Sequence, residues 1–98
     1  MASRIKWTGS AWRELEHAAN YIAQDSPRYA AAFVDEVRSA ARSLRRYPNR
    51  GRVVPEVGDE SVRELFVKSY RLIYEIQREH VVILALIHGA RRLPTDLG

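Results

Sequence analysis

Val62-Arg-Glu-Leu-Phe-Val67, Tyr70-Arg-Leu-Ile-Tyr-Glu-Ile-Gln77 and Val81-Val-Ile-Leu-Ala-Leu-Ile-His88 are three runs rich in Val, Ile, Leu, Tyr and Phe, set two and three residues apart. That composition suits strands. Gaps so short join antiparallel neighbours. Residues 81–87 are apolar at every position, as expected of a central strand covered on both faces.

Upstream the pattern changes. Residues 53–61 read as a loop that ends in acidic residues. Before it, Phe33, Val37, Ala40, Ala41, Leu44 and Tyr47 recur at helical spacing and predict a helix over 27–47. Ser26 suits its N-cap, and Pro27 sits at the first helical position, where a missing N–H costs nothing. An earlier helix is expected over 10–24, with Ala11, Leu15, Ala18, Ala19 and Ile22 on one stripe and Thr8 or Ser10 as its cap. The two or three residues between the helices imply an antiparallel hairpin. Residues 4–8 alternate polar and apolar, as a short strand does. The order is β-α-α-β-β-β. The expected fold is α+β, an N-terminal strand and a helical hairpin packed on one face of a small, mostly antiparallel sheet. Residues 1–98 form a single domain.

The chain has no cysteine, which excludes a disulfide scaffold, a thiolate zinc site and a Cys nucleophile. His17, His80 and His88 are scattered, without carboxylates at ligand spacing, and there is no glycine-rich phosphate loop. No metal and no cofactor is expected. The longest apolar run has seven residues, against about 20 for a membrane helix. The segment Met1-Ala-Ser-Arg-Ile-Lys-Trp7 lacks an apolar signal core. A cytoplasmic protein is therefore expected, with no membrane partner.

The charge is more informative. There are 16 basic and 12 acidic residues, net +4, and all the basic ones except Lys6 and Lys68 are Arg. Arg forks bind carboxylates or phosphates in pairs, which suits an anionic partner. Arg38, Arg42, Arg45, Arg46, Arg50 and Arg52 follow one another with no acidic residue between them. Arg38, Arg42 and Arg45 share a helix face and could grip an acidic partner segment or phosphates. The helix dipole also favours cations at this end of a solvated helix.

A second set lies on the sheet: Arg63, Lys68, Arg71, Arg91 and Arg92, near Tyr70, Tyr74 and His88. Arg71 and Arg91 could stabilise charge on a phosphate. His88, Tyr70, Tyr74 or a carboxylate would then have to move protons. Alternatively, the tyrosines fill pleat positions and Arg71 pairs with Glu64 or Glu75 across strands. No helix-turn-helix or basic ribbon is evident, so direct sequence-specific DNA binding is not expected.

These segments carry a resemblance. Tyr21-Ile-Ala-Gln-Asp-Ser-Pro27, Ala31-Ala-Phe33, Pro48-Asn-Arg-Gly-Arg52, Val54-Pro-Glu56, Arg63-Glu-Leu65, Tyr70-Arg-Leu-Ile-Tyr74 and Ile87-His-Gly-Ala-Arg91 stand in the order seen in toxins of the RelE/ParE superfamily, across nearly the whole chain. The resemblance implies the toxin half of a type II toxin–antitoxin pair, with a helical hairpin on a curved sheet and a cognate antitoxin as partner. RelE-type members cut messenger RNA on the ribosome; ParE-type members inhibit DNA gyrase. By similarity Arg71 and Arg91 match two arginine positions of the cleaving type. Glu64 and Phe66 stand where that type carries lysines, and Leu97 where it carries a tyrosine. Gly51-Arg-Val-Val-Pro-Glu56 and His88-Gly-Ala-Arg91 look more like ParE. The implied function is gyrase inhibition by binding, with Arg38, Arg42, Arg45, Arg46, Arg52 and Arg63 as partner-contacting residues. The alternative is a ribosome-dependent endoribonuclease using Arg71, Arg91, His88 and Tyr70.

Overall fold

The computed structural model describes residues 4–89. The elements run β1 (Arg4–Trp7), α1 (Gly9–Ala23), α2 (Pro27–Ser43), β2 (Arg52–Val53), β3 (Val62–Val67), β4 (Tyr70–Ile76) and β5 (His80–His88). They build a five-stranded sheet in the order β1-β5-β4-β3-β2. β1 lies parallel to β5, and every other pair is antiparallel. The expected α+β class and element order hold, with one strand added. β2 has two residues, too few for any periodicity to announce it.

Both helix starts follow their caps. Thr8 Oγ1 accepts from the Ala11 amide at 3.0 Å, and Ser26 Oγ accepts from the Tyr29 amide at 3.2 Å. These oxygens satisfy amides that have no partner within the helix. The end of α2 differs from expectation. The helix stops at Ser43, and residues 44–46 tighten into turns in which each amide reaches back three residues. Leu44 still reaches the core, but Tyr47 is 58% exposed and leaves the stripe. Ser43 holds this end: its Oγ donates to the Ala40 carbonyl and accepts from Arg50 Nη1, each at 2.6 Å.

The main core lies between the helices and one sheet face. Ala11, Leu15 and Ala18 of α1 and Phe33, Val37, Ala41 and Leu44 from α2 and its end meet Val67, Leu72, Tyr74, Val81, Ile83 and Leu86. Small residues on α1 let the helices approach closely. The opposite face carries a smaller apolar cluster, Val62, Ile73, Ala85 and Ile87, with Val54 and Val57 from the connection between β2 and β3 packed on it. That connection, read as a loop, thus closes part of the second face.

β1 pairs with β5 only over residues 80–83. Beyond that point Glu14 of α1 accepts the Leu86 amide at 2.8 Å, supplying the bond a strand would have made. The β4–β5 register shifts between Ile73 and Tyr74, so that Leu84 is an extra residue on β5.

Candidate functional site

Three groups of candidate residues emerge, and the sheet separates the first from the other two. The first lies on the face turned away from the helices. Residues opposed across an antiparallel ladder point to the same side. Arg52, Glu64, Ile73 and Ala85 oppose one another in one row; Phe66, Arg71 and Ile87 form the next. Glu64 therefore lies diagonally from Arg71. Its Oε1 accepts from Arg71 Nε at 2.6 Å, and its Oε2 accepts from Arg52 Nε. Glu56 takes the other edge of the same guanidinium: Oε2 accepts from Nη1 and Oε1 from Nη2, each at 2.9 Å.

Arg71 and its two carboxylates are largely withdrawn from water. The side chain of Arg71 is 6% exposed, that of Glu64 0% and that of Glu56 24%. The hydrogen bonds that Arg71 donates to Glu56, reinforced by its bond to Glu64, raise the Arg71 pKa against the opposing effect of burial. Two cations, Arg52 and Arg71, face two carboxylates, so the charges of these four side chains cancel. Glu64 is one of the two cross-strand carboxylates that the strand pattern offers. Glu56 comes from a loop and has no spacing that would announce it.

The second group sits on the helix side. Neighbouring residues of a strand point to opposite faces, so Tyr70 turns toward the helices while Arg71 turns away. His88 opposes Tyr70 in the ladder and shares its side. The two rings meet edge to face at 5.5 Å, and Tyr70 also packs on Phe33 at 5.0 Å. Both line a cleft of about 380 Å³ with Glu14, His17 and Tyr21. The set Arg71, Tyr70 and His88, read from the sequence as one possible ribonuclease centre, is therefore divided between the two faces. Arg91 lies outside the described residues.

Arg63 and Arg52, expected at a partner surface, are engaged within the fold. Arg63 Nε donates to the Glu60 carbonyl at 3.0 Å, and its Nη1 donates to the Gly51 carbonyl at 2.9 Å. It holds the turn before β2 in place. Arg52 keeps its outer surface open for contact, since its side chain is 62% exposed, but its Nε is spent on Glu64.

The third group lies on the helical hairpin. Arg38, Arg42, Arg45 and Arg46 are all exposed. Among the described residues none of the four forms an ion pair. Arg38 stands 6.0 Å from the Trp12 ring centre, and Trp7 meets Trp12 edge to face at 5.4 Å. Trp12 is 40% exposed and lines a groove between the helices with Leu15, Ala19, Val34 and Arg38. It lies off the buried stripe of α1, which marks it in the sequence as apolar surface without saying what it meets. No helix is long and apolar enough to cross a membrane, and no three His, Asp or Glu side chains are grouped to hold a metal ion, among the described residues.

Comparisons with known proteins place this fold. Residues 5–93 match the family described as ParE toxin of type II toxin–antitoxin system, parDE. The chain is 36% identical over 96 residues to Y4kP of Sinorhizobium fredii, covering 96% of each. It is 33% identical over 90 residues to toxin RelE2 of Caulobacter vibrioides, covering 91% of this chain and 98% of that one. Among solved structures it resembles a chain of the chromosomal ParDE system of P. aeruginosa (TM-score 0.72, 20% identity, 89% of this chain and 96% of the other). It also resembles a chain of the RelBE2 toxin–antitoxin complex of Mycobacterium tuberculosis (TM-score 0.59, 27% identity, 90% and 99%). A helical hairpin on a five-stranded sheet and a family match over nearly its whole length together identify the chain as a member of the ParE family, toxins of type II toxin–antitoxin systems within the RelE/ParE superfamily.

Proposed function

We propose that this toxin acts by binding DNA gyrase rather than by cutting RNA, and that an acidic cognate antitoxin neutralises it in the cytoplasm, as a plasmid-stabilisation module would require. One observation carries the preference. The phosphate-binding arginine and the proton-transferring groups that RNA cleavage needs lie on opposite faces of the sheet, with Arg71 on one side and Tyr70 and His88 on the other. General acid–base catalysis demands groups within hydrogen-bond reach of the same reacting atoms, and side chains on opposite faces of one packed sheet do not converge on a single phosphate.

The antitoxin surface follows from charge and shape. Four arginines without an ion-pair partner among the described residues rim the hairpin, and the Trp12 groove offers an apolar slot beside them. An acidic segment that folds on binding, with one apolar anchor for the groove, fits this surface. The Trp12 ring is already engaged by Arg38 and the edge of Trp7, which favours a protein occupant over a stacked base.

A second reading, a ribosome-dependent mRNA endoribonuclease, draws on the Glu14, His17, Tyr21, Tyr70 and His88 cleft, where several titratable groups converge. Induction of the chain alone in bacteria separates the two. Growth arrest with blocked supercoiling by gyrase and intact messages supports the gyrase reading. New cuts inside translated frames, mapped by primer extension, would overturn it.

A further inference from the structure

The positive charge of this chain is not spread over it. Arg38, Arg42, Arg45, Arg46 and Arg50 carry five charges, whereas the whole chain nets +4, so everything else together is slightly acidic. No carboxylate stands between Glu36 and Glu56. All five arginines are exposed, and among the described residues none forms an ion pair. The fold gathers them at one end of the hairpin. Arg38 and Arg42 stand about 6 Å apart along the axis of α2. Arg45 and Arg46 lie in the tightened turns beyond Ser43, and Arg50 returns to that end, its Nη1 donating to Ser43 Oγ at 2.6 Å. Glu16 lines the Trp12 groove with Arg38 but forms no ion pair with it. The end of the helix adds about half a negative charge, too little to balance five cations. Two aromatic rings lie beside the set, and each already carries a guanidinium. Arg38 stands 6.0 Å from the Trp12 ring centre and Arg46 5.9 Å from that of Tyr47. Such contacts steady a long side chain without consuming its charge. Single strands are held by bases stacked on open rings. A duplex keeps its bases inside and offers its phosphates to cations alone, which is the ligand this surface fits.

We propose that these five arginines form a sequence-independent contact for the phosphate backbone of duplex DNA, through which the toxin engages gyrase together with the DNA that the enzyme holds. The role at gyrase rests on the gyrase reading; the backbone contact does not. Affinity of this kind comes from charge and from the release of counter-ions, so it is indifferent to sequence and steep in salt. An acidic antitoxin seated on the same arginines takes the place of the backbone, and the toxin cannot hold both.

The test follows the anisotropy of fluorescein-labelled duplexes of about 20 base pairs, in two unrelated sequences, between about 50 and about 200 mM salt. The purified wild-type chain is compared with the double variant Arg42→Glu, Arg45→Glu. The control is Arg28→Glu, Arg78→Glu, which changes net charge equally at two exposed positions outside the set. Four or five neutralised phosphates give a log–log slope of about −4, a loss of about 200-fold across this range. Both sequences should behave alike. Arg42→Glu with Arg45→Glu should bind at least about tenfold more weakly, with a slope shallower by about 2. The control should keep the wild-type slope. Equal losses in the two double variants would reduce the effect to net charge and overturn the proposal. So would a preference for one sequence, or tighter binding of a single strand of the same length. If the charge-reversed protein fails to fold, Arg42→Gln with Arg45→Gln must show the same shallower slope. A supercoiling assay judges the role at gyrase. If the wild-type toxin leaves supercoiling untouched, the gyrase reading falls, and anisotropy alone decides the backbone contact. If it inhibits, Arg42→Glu with Arg45→Glu should need about tenfold more protein for equal inhibition. Undiminished inhibition by that variant would overturn the role of the DNA contact.

Discussion

The hydroxyl of Tyr74 accepts a hydrogen bond from the Gly51 amide at 3.0 Å and donates one to the Pro48 carbonyl at 2.7 Å. A central strand thereby holds the turn that carries the chain from α2 to β2. Tyr74 is fully buried, and its ring belongs to the main core. A Cβ on Gly51 would fall 2.6 Å from the Glu64 carbonyl oxygen and equally close to the Tyr74 hydroxyl. The turn, the tyrosine and the strand that bears Glu64 are therefore packed as one unit.

Removing that hydroxyl leaves two backbone groups without their partner. Tyr74→Phe should destabilise the fold by about 1–3 kcal/mol, read as a lower urea midpoint with an unchanged slope. Gly51→Ala should cost about 2–3 kcal/mol, since backbone rather than a flexible side chain blocks the new methyl. A Gly51→Ala midpoint equal to wild type would show that the turn can shift away from β3.

Burial raises the Tyr74 pKa above its ordinary value of 10.0, against smaller lowering effects from the Gly51 amide and from Arg63 and Arg50. A group whose pKa is raised on folding contributes stability that is fully present below the unfolded value. It is lost as pH rises from the unfolded value through the folded one, where the buried phenol opposes ionisation that the unfolded chain allows. Urea midpoints should therefore fall from about pH 9 to about 11.5 in wild type, across the ordinary tyrosine range, and fall less steeply in Tyr74→Phe.

Arg71→Ala should look like a toxicity mutant for the wrong reason. It leaves Glu64 buried with only Arg52 as counter-charge. Breaking a buried pair costs about 3–5 kcal/mol, a large part of the stability of a small domain. Glu64→Ala should cost less, because Arg71 keeps Glu56 on its other edge. Replacing Arg71, Glu64 and Glu56 together by Met, Leu and Ala should recover most of the loss, because desolvation no longer opposes folding. Thermal melts of the three proteins check this. If Arg71→Ala melts like wild type while toxicity vanishes, Arg71 acts in function and not in the fold.

The hairpin arginines predict the opposite pattern. Arg42→Glu with Arg45→Glu should change stability by less than about 0.5 kcal/mol, as exposed substitutions do. Affinity for the antitoxin should fall at least about tenfold, and its salt dependence should flatten. Calorimetric titration with the antitoxin at two salt concentrations measures both. Unchanged affinity would remove these arginines from the interface.

The sequence by itself determined the helical hairpin and the three-stranded meander, because each is written in local signals. Ser26 and Pro27 mark a helix start through backbone bonds made within three residues. Two-residue and three-residue gaps allow little but antiparallel return. Its motifs also sufficed for the family. Where α2 ends was decided by the tertiary structure. Tyr47 keeps the helical spacing, but Arg50 and Ser43 bond across the turn and the chain leaves the helix first. The pairing of β1 with β5 links residues more than seventy positions apart, and no local pattern encodes such a contact. The candidate site was divided in the same way. Arg71, Arg52, Tyr70 and His88 were legible in the sequence and Glu56 was not, and alternation along β4 sends Tyr70 and Arg71 to opposite faces. Only the packed loop after β2 brings Glu56 onto the Arg71 fork, because a salt bridge of that kind depends on distance in space and leaves no period in the chain.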